Sequence, residues 1–263
     1  MTSPSRRYWD AAADLYQDQT QISCADFHYG PLLPGDSELR LLPTDVRDLD
    51  CLELGSGAAQ NSIYLASQGA RCTAVDISSE QLRHASRLAS DSGVSLELVQ
   101  ADLEGLPFPP RARFDVVHST YALPFLQNQR EMVREAAALL RRGGTFLLTT
   151  AHPLSTAEWL EVDAGEVGVF LQDYFQPCAD SRDDQAEGEA TCCPVSLSRV
   201  FRWLTDAGLV VTALLEPQPL PVASFSRAEL LEQVPYFSEA WIEAYPELAC
   251  IPCVAVFAAR KPV

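Results

Sequence analysis

The sequence predicts an α/β protein built on a doubly wound parallel sheet. Three observations point there. Strand and helix signals alternate from about residue 48 to residue 150. A glycine-bearing turn, "CLELGSGAAQN" at 51–61, joins the first strand to the first helix of that series. Acidic residues stand at the carboxyl ends of successive strands, the edge where open α/β sheets bind ligands.

Each element has its own reason. "DCLEL" is a short buried strand ending at Gly55. "AQNSIYLASQG" has Ile63, Leu65 and Ala66 at helical spacing and stops at Gly69. "RCTAVDIS" is the second strand. In "SSEQLRHASRLASDSG", Ser78 or Ser79 caps a helix whose apolar face is Leu82, Ala85, Leu88 and Ala89. "SLELVQAD" and "FDVVHST" are the third and fourth strands. "REMVREAAALLRRGG" reads as a helix closed by Gly143 and Gly144, with its arginines in the last turn where they suit the dipole. "TFLLTTA" is the fifth strand. Such strands, linked by helices with right-handed crossovers, make a parallel sheet covered on both faces. Beyond it, 152–193 is acidic and rich in turn formers, which suggests an irregular connection. "SLSRVFRWLTDAGL" is a helix, and "VVTALLEP" and "CVAVFAARK" are two closing strands.

Composition narrows the function. The chain has 263 residues, 47% of them hydrophobic, enough for a full core. The net charge of −17 argues against nucleic acid as a partner, since phosphate binding wants a basic surface. No apolar run reaches membrane-spanning length, and "MTSPSRRYWDAAADLYQDQT" turns polar too soon for a signal peptide, so a cytoplasmic protein is expected. The eight cysteines are then reduced. Cys51 and Cys72 fall in core strands. Cys192-Cys193 with Cys250-x-x-Cys253 is a poor match to a zinc ribbon, and no metal is expected.

In the opening turn, Gly55 and Gly57 let main chain approach a ligand closely. A dinucleotide fingerprint would need Gly or Ala where Gln60 stands. Asp76 ends the second strand, where a carboxylate accepts from both hydroxyls of a ribose. Asp102 follows the third strand, where an acceptor suits an exocyclic adenine amine with Leu103 covering the base.

These stretches, "LDCLELGSGAAQNSIYLASQGARCTAVDIS", "LVQADLEGLPFPPRARFDVVHS" and "ALLRRGGTFLLTTAHP", resemble class I S-adenosylmethionine-dependent methyltransferases, nearest the ubiquinone/menaquinone type. The resemblance covers roughly residues 45–150. The family's acidic-x-Gly-x-Gly-x-Gly motif reads here Glu53-x-Gly55-x-Gly57-x-Ala59, so Ala59 departs from the third glycine. The resemblance implies a seven-stranded, mostly parallel sheet, the last strand antiparallel and inserted between the fifth and sixth. It implies S-adenosylmethionine as cofactor and S-adenosylhomocysteine as product. It places Glu53 near the methionyl amine, and Gly55, Ser56 and Gly57 under the methionine and ribose. Asp76 takes the ribose, with Ile77 against adenine; Asp102 and Leu103 hold the base. His118 lines the methionine side, Gln81 reaches the adenosine end, and Tyr16 meets the methionyl carboxylate.

Methyl transfer from a sulfonium asks the protein mainly to align the reactants and exclude water, with a base where the nucleophile carries a proton. His152, Tyr121 and His28 are the candidates; each also has a structural reading as turn former, aromatic wall or lid residue. The expected domains are N-terminal lid helices at 1–44, a cofactor-binding core at 45–151, an irregular lid insertion at 152–193, and the rest of the sheet at 194–263 with a substrate-side insertion at about 217–250. Aromatic residues crowd the two irregular regions, which suits a mostly apolar or aromatic small molecule, and a role in specialised metabolite biosynthesis follows from the resemblance. The same aromatics also suit a homodimer surface. The alternatives are an NAD(P)-dependent oxidoreductase and a non-catalytic S-adenosylmethionine-binding protein.

Overall fold

The computed structural model describes residues 3–109, 111, 113–163, 166–175, 180–182 and 189–263. Seven strands form its main sheet: β1 (Asp50–Leu54), β2 (Arg71–Asp76), β3 (Glu97–Gln100), β4 (Phe114–Thr120), β5 (Leu140–Ala151), β6 (Val210–Leu215) and β7 (Val254–Arg260). Their spatial order is β6-β7-β5-β4-β1-β2-β3. β7 is antiparallel to both neighbours and the other pairings are parallel. The chain runs from β1 outward to β3, then returns to start β4 on the other side of β1. That reversal makes the carboxyl ends of β1 and β4 the topological switch point, where a crevice opens.

Helices cover both faces. α1 is Pro4–Gln19, α2 Gln60–Ser67, α3 Ser79–Asp91, α4 Gln129–Leu139 and α5 Leu197–Asp206. Met132, Val133 and Ala136 of α4 and Val200 and Leu204 of α5 pack on Leu52, Val117, Phe146 and Phe257. On the opposite face Leu65 of α2, with Phe27, Tyr29 and Leu33, packs on Cys51, Val116 and Val256. β1 and β5 are covered on both sides, which is why they read as near-continuous apolar runs.

The helix predicted through Gly144 stops at Leu139, and "LRRGG" begins β5. Its arginine serves the sheet rather than a helix dipole. Arg141 donates to Asp50 on β1 at 2.7 Å and to Asp115 on β4, tying three strands at their amino ends. Within 152–193, where composition suggests irregular chain, Glu158–Asp163 and Glu166–Phe170 form an antiparallel hairpin, and Asp180–Arg182 pairs with Ala190–Cys192. Most of the acidic stretch "CADSRDDQAEGEA" lies outside the described residues.

Two distant segments meet above the sheet. Ser3 and Pro4 start α1: the Ser3 hydroxyl accepts from Arg6 N at 3.2 Å, and Pro4 occupies a position that needs no amide donor. α1 runs into Thr20–Ile22, which pairs antiparallel with Tyr236–Ser238. α1 also lies against α3: Asp10 Oδ1 accepts from the Ser78 and Ser79 hydroxyls at 2.8 and 3.3 Å. Among the described residues, no helix is long and apolar enough to cross a membrane.

Candidate functional site

A cavity of about 640 Å³ opens at the switch point. Its floor is the turn from β1 to α2. Gly55 has φ +72°, and a methyl group added there would lie 2.3 Å from Ala122 Cβ. Gly57 has φ +54°, and an added Cβ would meet only Gln81 Oε1, at 3.8 Å. The first glycine is thus required by packing against the β4 loop, and the second leaves room on the cavity side. Ala59 caps α2 from the left-handed region, φ +59°, and is fully buried. The missing third glycine has left its backbone shape behind, at a cost of about 1 kcal/mol for a residue with a Cβ.

Two carboxylates flank this turn, both buried. Asp76 Oδ2 accepts from Gly57 N at 2.8 Å and Oδ1 from Ser78 N at 2.9 Å. Glu53 Oε2 accepts from Ser62 N at 3.0 Å. Burial pushes the Glu53 carboxyl up to about 7 and that of Asp76 up to about 6. Asp102 sits at the β3 end, where its Oδ1 accepts from Glu104 N at 3.0 Å.

Tyr16, Glu53, Gly55, Ser56, Gly57, Asp76, Ile77, Gln81, Asp102, Leu103, His28 and Tyr121 all line the one cavity. His118 and His152 do not. His118 is fully buried beside Glu53, with its ring edge-on to Phe27 at 5.0 Å and neither ring nitrogen hydrogen-bonded among the described residues. Burial drives its pKa down to about 3, so it is neutral. His152 shapes the chain after β5: its Nδ1 accepts from Leu154 N at 3.1 Å and its Nε2 lies 2.9 Å from Glu216 Oε1, just past β6.

The wall above the β4 end comes from elsewhere in the chain. The His28 main chain is clamped by Asn61, which accepts from His28 N at 2.8 Å, donates to its carbonyl at 3.0 Å, and donates to Thr120 Oγ1 at 3.2 Å. The His28 ring meets Tyr236 edge-on at 5.3 Å. The Tyr16 and Tyr236 hydroxyls are hydrogen-bonded at 2.5 Å. Tyr121 has φ +64°, held by its amide donating to Thr149 Oγ1 at 3.0 Å. A bulky residue in that conformation is strained, and its side chain is part of the cavity lining.

Sequence reasoning missed Gln17 and Gln60 as lining residues. Gln60 donates to Gln17 at 3.1 Å, and Gln17 donates to Gln81 at 2.9 Å, so three amides chain α1, α2 and α3 together. Lone glutamines on separate helices leave no sequence signal. Among the described residues, no group of three or more His, Cys, Asp or Glu is placed to hold a metal ion.

Sheet order, glycine turn and carboxylates at the strand tips define a Rossmann-like fold of the methyltransferase type. Residues 52–148 match the family model of the methyltransferase domain. An uncharacterized methyltransferase, YcgJ of Bacillus subtilis, is 34% identical over 98 residues, 37% of this chain and 38% of the relative. The chain spans less than half the length of the first curated relatives it matches. Among solved structures, an S-adenosylmethionine-dependent methyltransferase described as putative, from Listeria monocytogenes, aligns with TM-score 0.68 and 22% identity over 86% of this chain and 95% of its own. The [4+2]-cyclase SpnF aligns with TM-score 0.61 and 16% identity over 100% of this chain and 98% of its own. Residues 52–148 are thus matched as a methyltransferase domain, and the fold of the chain is that of the S-adenosylmethionine-dependent methyltransferases it aligns with.

Proposed function

We propose that the protein transfers a methyl group from S-adenosylmethionine to an oxygen, nitrogen or carbon atom of a mostly apolar or aromatic small molecule, in specialised metabolite biosynthesis. One observation supports this above the others: the glycine turn, two buried carboxylates and an aromatic wall share a single cavity at the switch point. The residues fit the cofactor. The open space beside Gly57, where a side chain would intrude, is a cradle for a ligand pressed against main chain. Asp76 holds the ribose, Asp102 and Leu103 the adenine, and Glu53 the charged methionyl end. Bound there, S-adenosylmethionine supplies an electrophilic methyl group on a positively charged sulfur.

The rest falls to the chain. α1 and the 217–250 segment close over the cavity as lids and keep water out. Tyr121 and His28 face the acceptor; burial lowers the His28 pKa to about 3, so its imidazole stays neutral and accepts a hydrogen bond rather than a full proton. His152 lies outside the lining, and its role in this reading is to hold the turn after β5. The fold similarity to a [4+2]-cyclase supports a second reading, in which the chain binds the cofactor and catalyses a reaction other than methyl transfer.

Calorimetry with S-adenosylhomocysteine tests the assignment: the wild-type chain binds it, NADH does not compete, and Asp76→Ala weakens binding by at least about tenfold, the loss of a charged hydrogen bond. Consumption of labelled S-adenosylmethionine with an acceptor separates methyl transfer from the second reading.

A further inference from the structure

The cavity divides by what lines it. Along the tips of β1 to β3 stand the carboxylates Glu53, Asp76 and Asp102. At the β4 end the wall is Ile22, His28, Tyr121, Tyr236 and Trp241, with no formal charge at neutral pH. These residues form one surface: Ile22 and Tyr236 are register partners, Tyr236 touches the His28 ring, and Asn61 ties His28 to Thr120 beside Tyr121. Lysine and arginine are absent from the described lining residues.

His28 is the polar group on this surface that asks for a ligand. It is 7% exposed and lines the cavity; its Nδ1 is closed off from the cavity, and its Nε2, which makes no hydrogen bond among the described residues, is the ring nitrogen left for a ligand to meet. Burial holds the imidazole neutral, with its pKa down to about 3, so one ring nitrogen is an acceptor. A buried polar ring without a partner is uncommon and costs stability until it is satisfied.

Resting on the methyl-transfer reading, we propose that the methyl acceptor is an electrically neutral aromatic molecule whose hydroxyl or N–H group donates a hydrogen bond to the His28 imidazole. Tyr121, Tyr236 and Trp241 offer ring faces and edges to a flat apolar body. A carboxylate or phosphate in the same place would give up its hydration with no lysine or arginine of the lining to pair with, and would face carboxylates across the cavity. A hydroxyl loses less water and supplies what His28 lacks.

The test uses the full chain saturated with S-adenosylhomocysteine and three probes: naphthol, naphthalene and naphthoate. Binding is followed by the fluorescence of tryptophan, since Trp9 and Trp241 line the cavity. Naphthol binds at least about tenfold more tightly than naphthoate and several-fold more tightly than naphthalene. His28→Leu removes the naphthol preference over naphthalene, and His28→Gln, which keeps an acceptor, restores part of it. Naphthoate binding as tightly as naphthol overturns the proposal. So does naphthol binding no better than naphthalene to the wild-type chain, or failure of all three probes to bind. Failure of S-adenosylhomocysteine to bind overturns the methyl-transfer reading instead, and the probe comparison is then made on the chain alone with the same criteria.

Discussion

Glu53 is a carboxyl group withdrawn from water, 3% exposed, and one main-chain amide does not offset its burial. Its folded pKa, about 7, stands above the ordinary value of 4.5. Between those values the folded state keeps a proton that the unfolded state releases. The group's contribution is therefore complete below about pH 4.5 and is lost as pH rises toward 7. Asp76 acts in the same direction over a lower window, from 3.8 to about 6. Glu53→Gln, neutral at every pH, should gain on the wild-type apo-protein by up to about 3 kcal/mol between pH 5 and pH 8; urea unfolding at the two pH values measures this. At this scale the sequence was informative about position and silent about direction. Glu53, Asp76 and Asp102 were legible as acidic residues at strand tips. His118 and His152 were legible as residues of strand ends, but which way each ring turns depends on neighbours such as Phe27 and Glu216 that are remote in sequence.

At the scale of elements, α1 matters most to the site. It is latched to the first turn of α3 by Asp10, whose carboxylate accepts from two serine hydroxyls, and by Asp14, which pairs with Arg83 at 2.6 Å. Asp14 is mostly exposed and Arg83 partly so, and water screens that pair to a small contribution, while Asp10 works as a cap supplied from another helix. Asp10→Ala should cost about 1 kcal/mol and raise hydrogen exchange in residues 8–19 well above that of β1. Undiminished protection of α1 would show the latch to be unimportant. The sheet strands were legible because burial on both faces writes continuous apolar runs. The end of α4 was not: "LLRRGG" has the charges and glycines of a helix terminus, and what makes it the start of a strand is main-chain pairing with Phe114 and Val116, helped by Arg141 reaching Asp50 and Asp115, all remote in sequence. The hairpin at Glu158–Phe170 was missed because turn formers between two short runs look the same whether the runs pair or wander.

Across the whole molecule, a net charge of −17 makes the folded chain repel itself. Raising sodium chloride from 10 mM to about 0.3 M should therefore raise Tm by a few degrees at pH 8, because the Debye length shrinks from about 30 Å to below 10 Å. A Tm that falls over this range would mean that the ion pairs seen here outweigh the general repulsion. The roof of the cavity was the least legible feature, since it joins Tyr16 to Tyr236 across 220 positions of sequence. The strand order has a further consequence, for synthesis. β7 leaves the ribosome after β6 yet belongs between β6 and β5. Until it arrives, β5 shows the nascent chain's surroundings an apolar edge of unpaired amides and carbonyls, the template on which newly made proteins clump. Translation speed and chaperone supply near residue 254 should then govern how much of the protein is recovered in usable form.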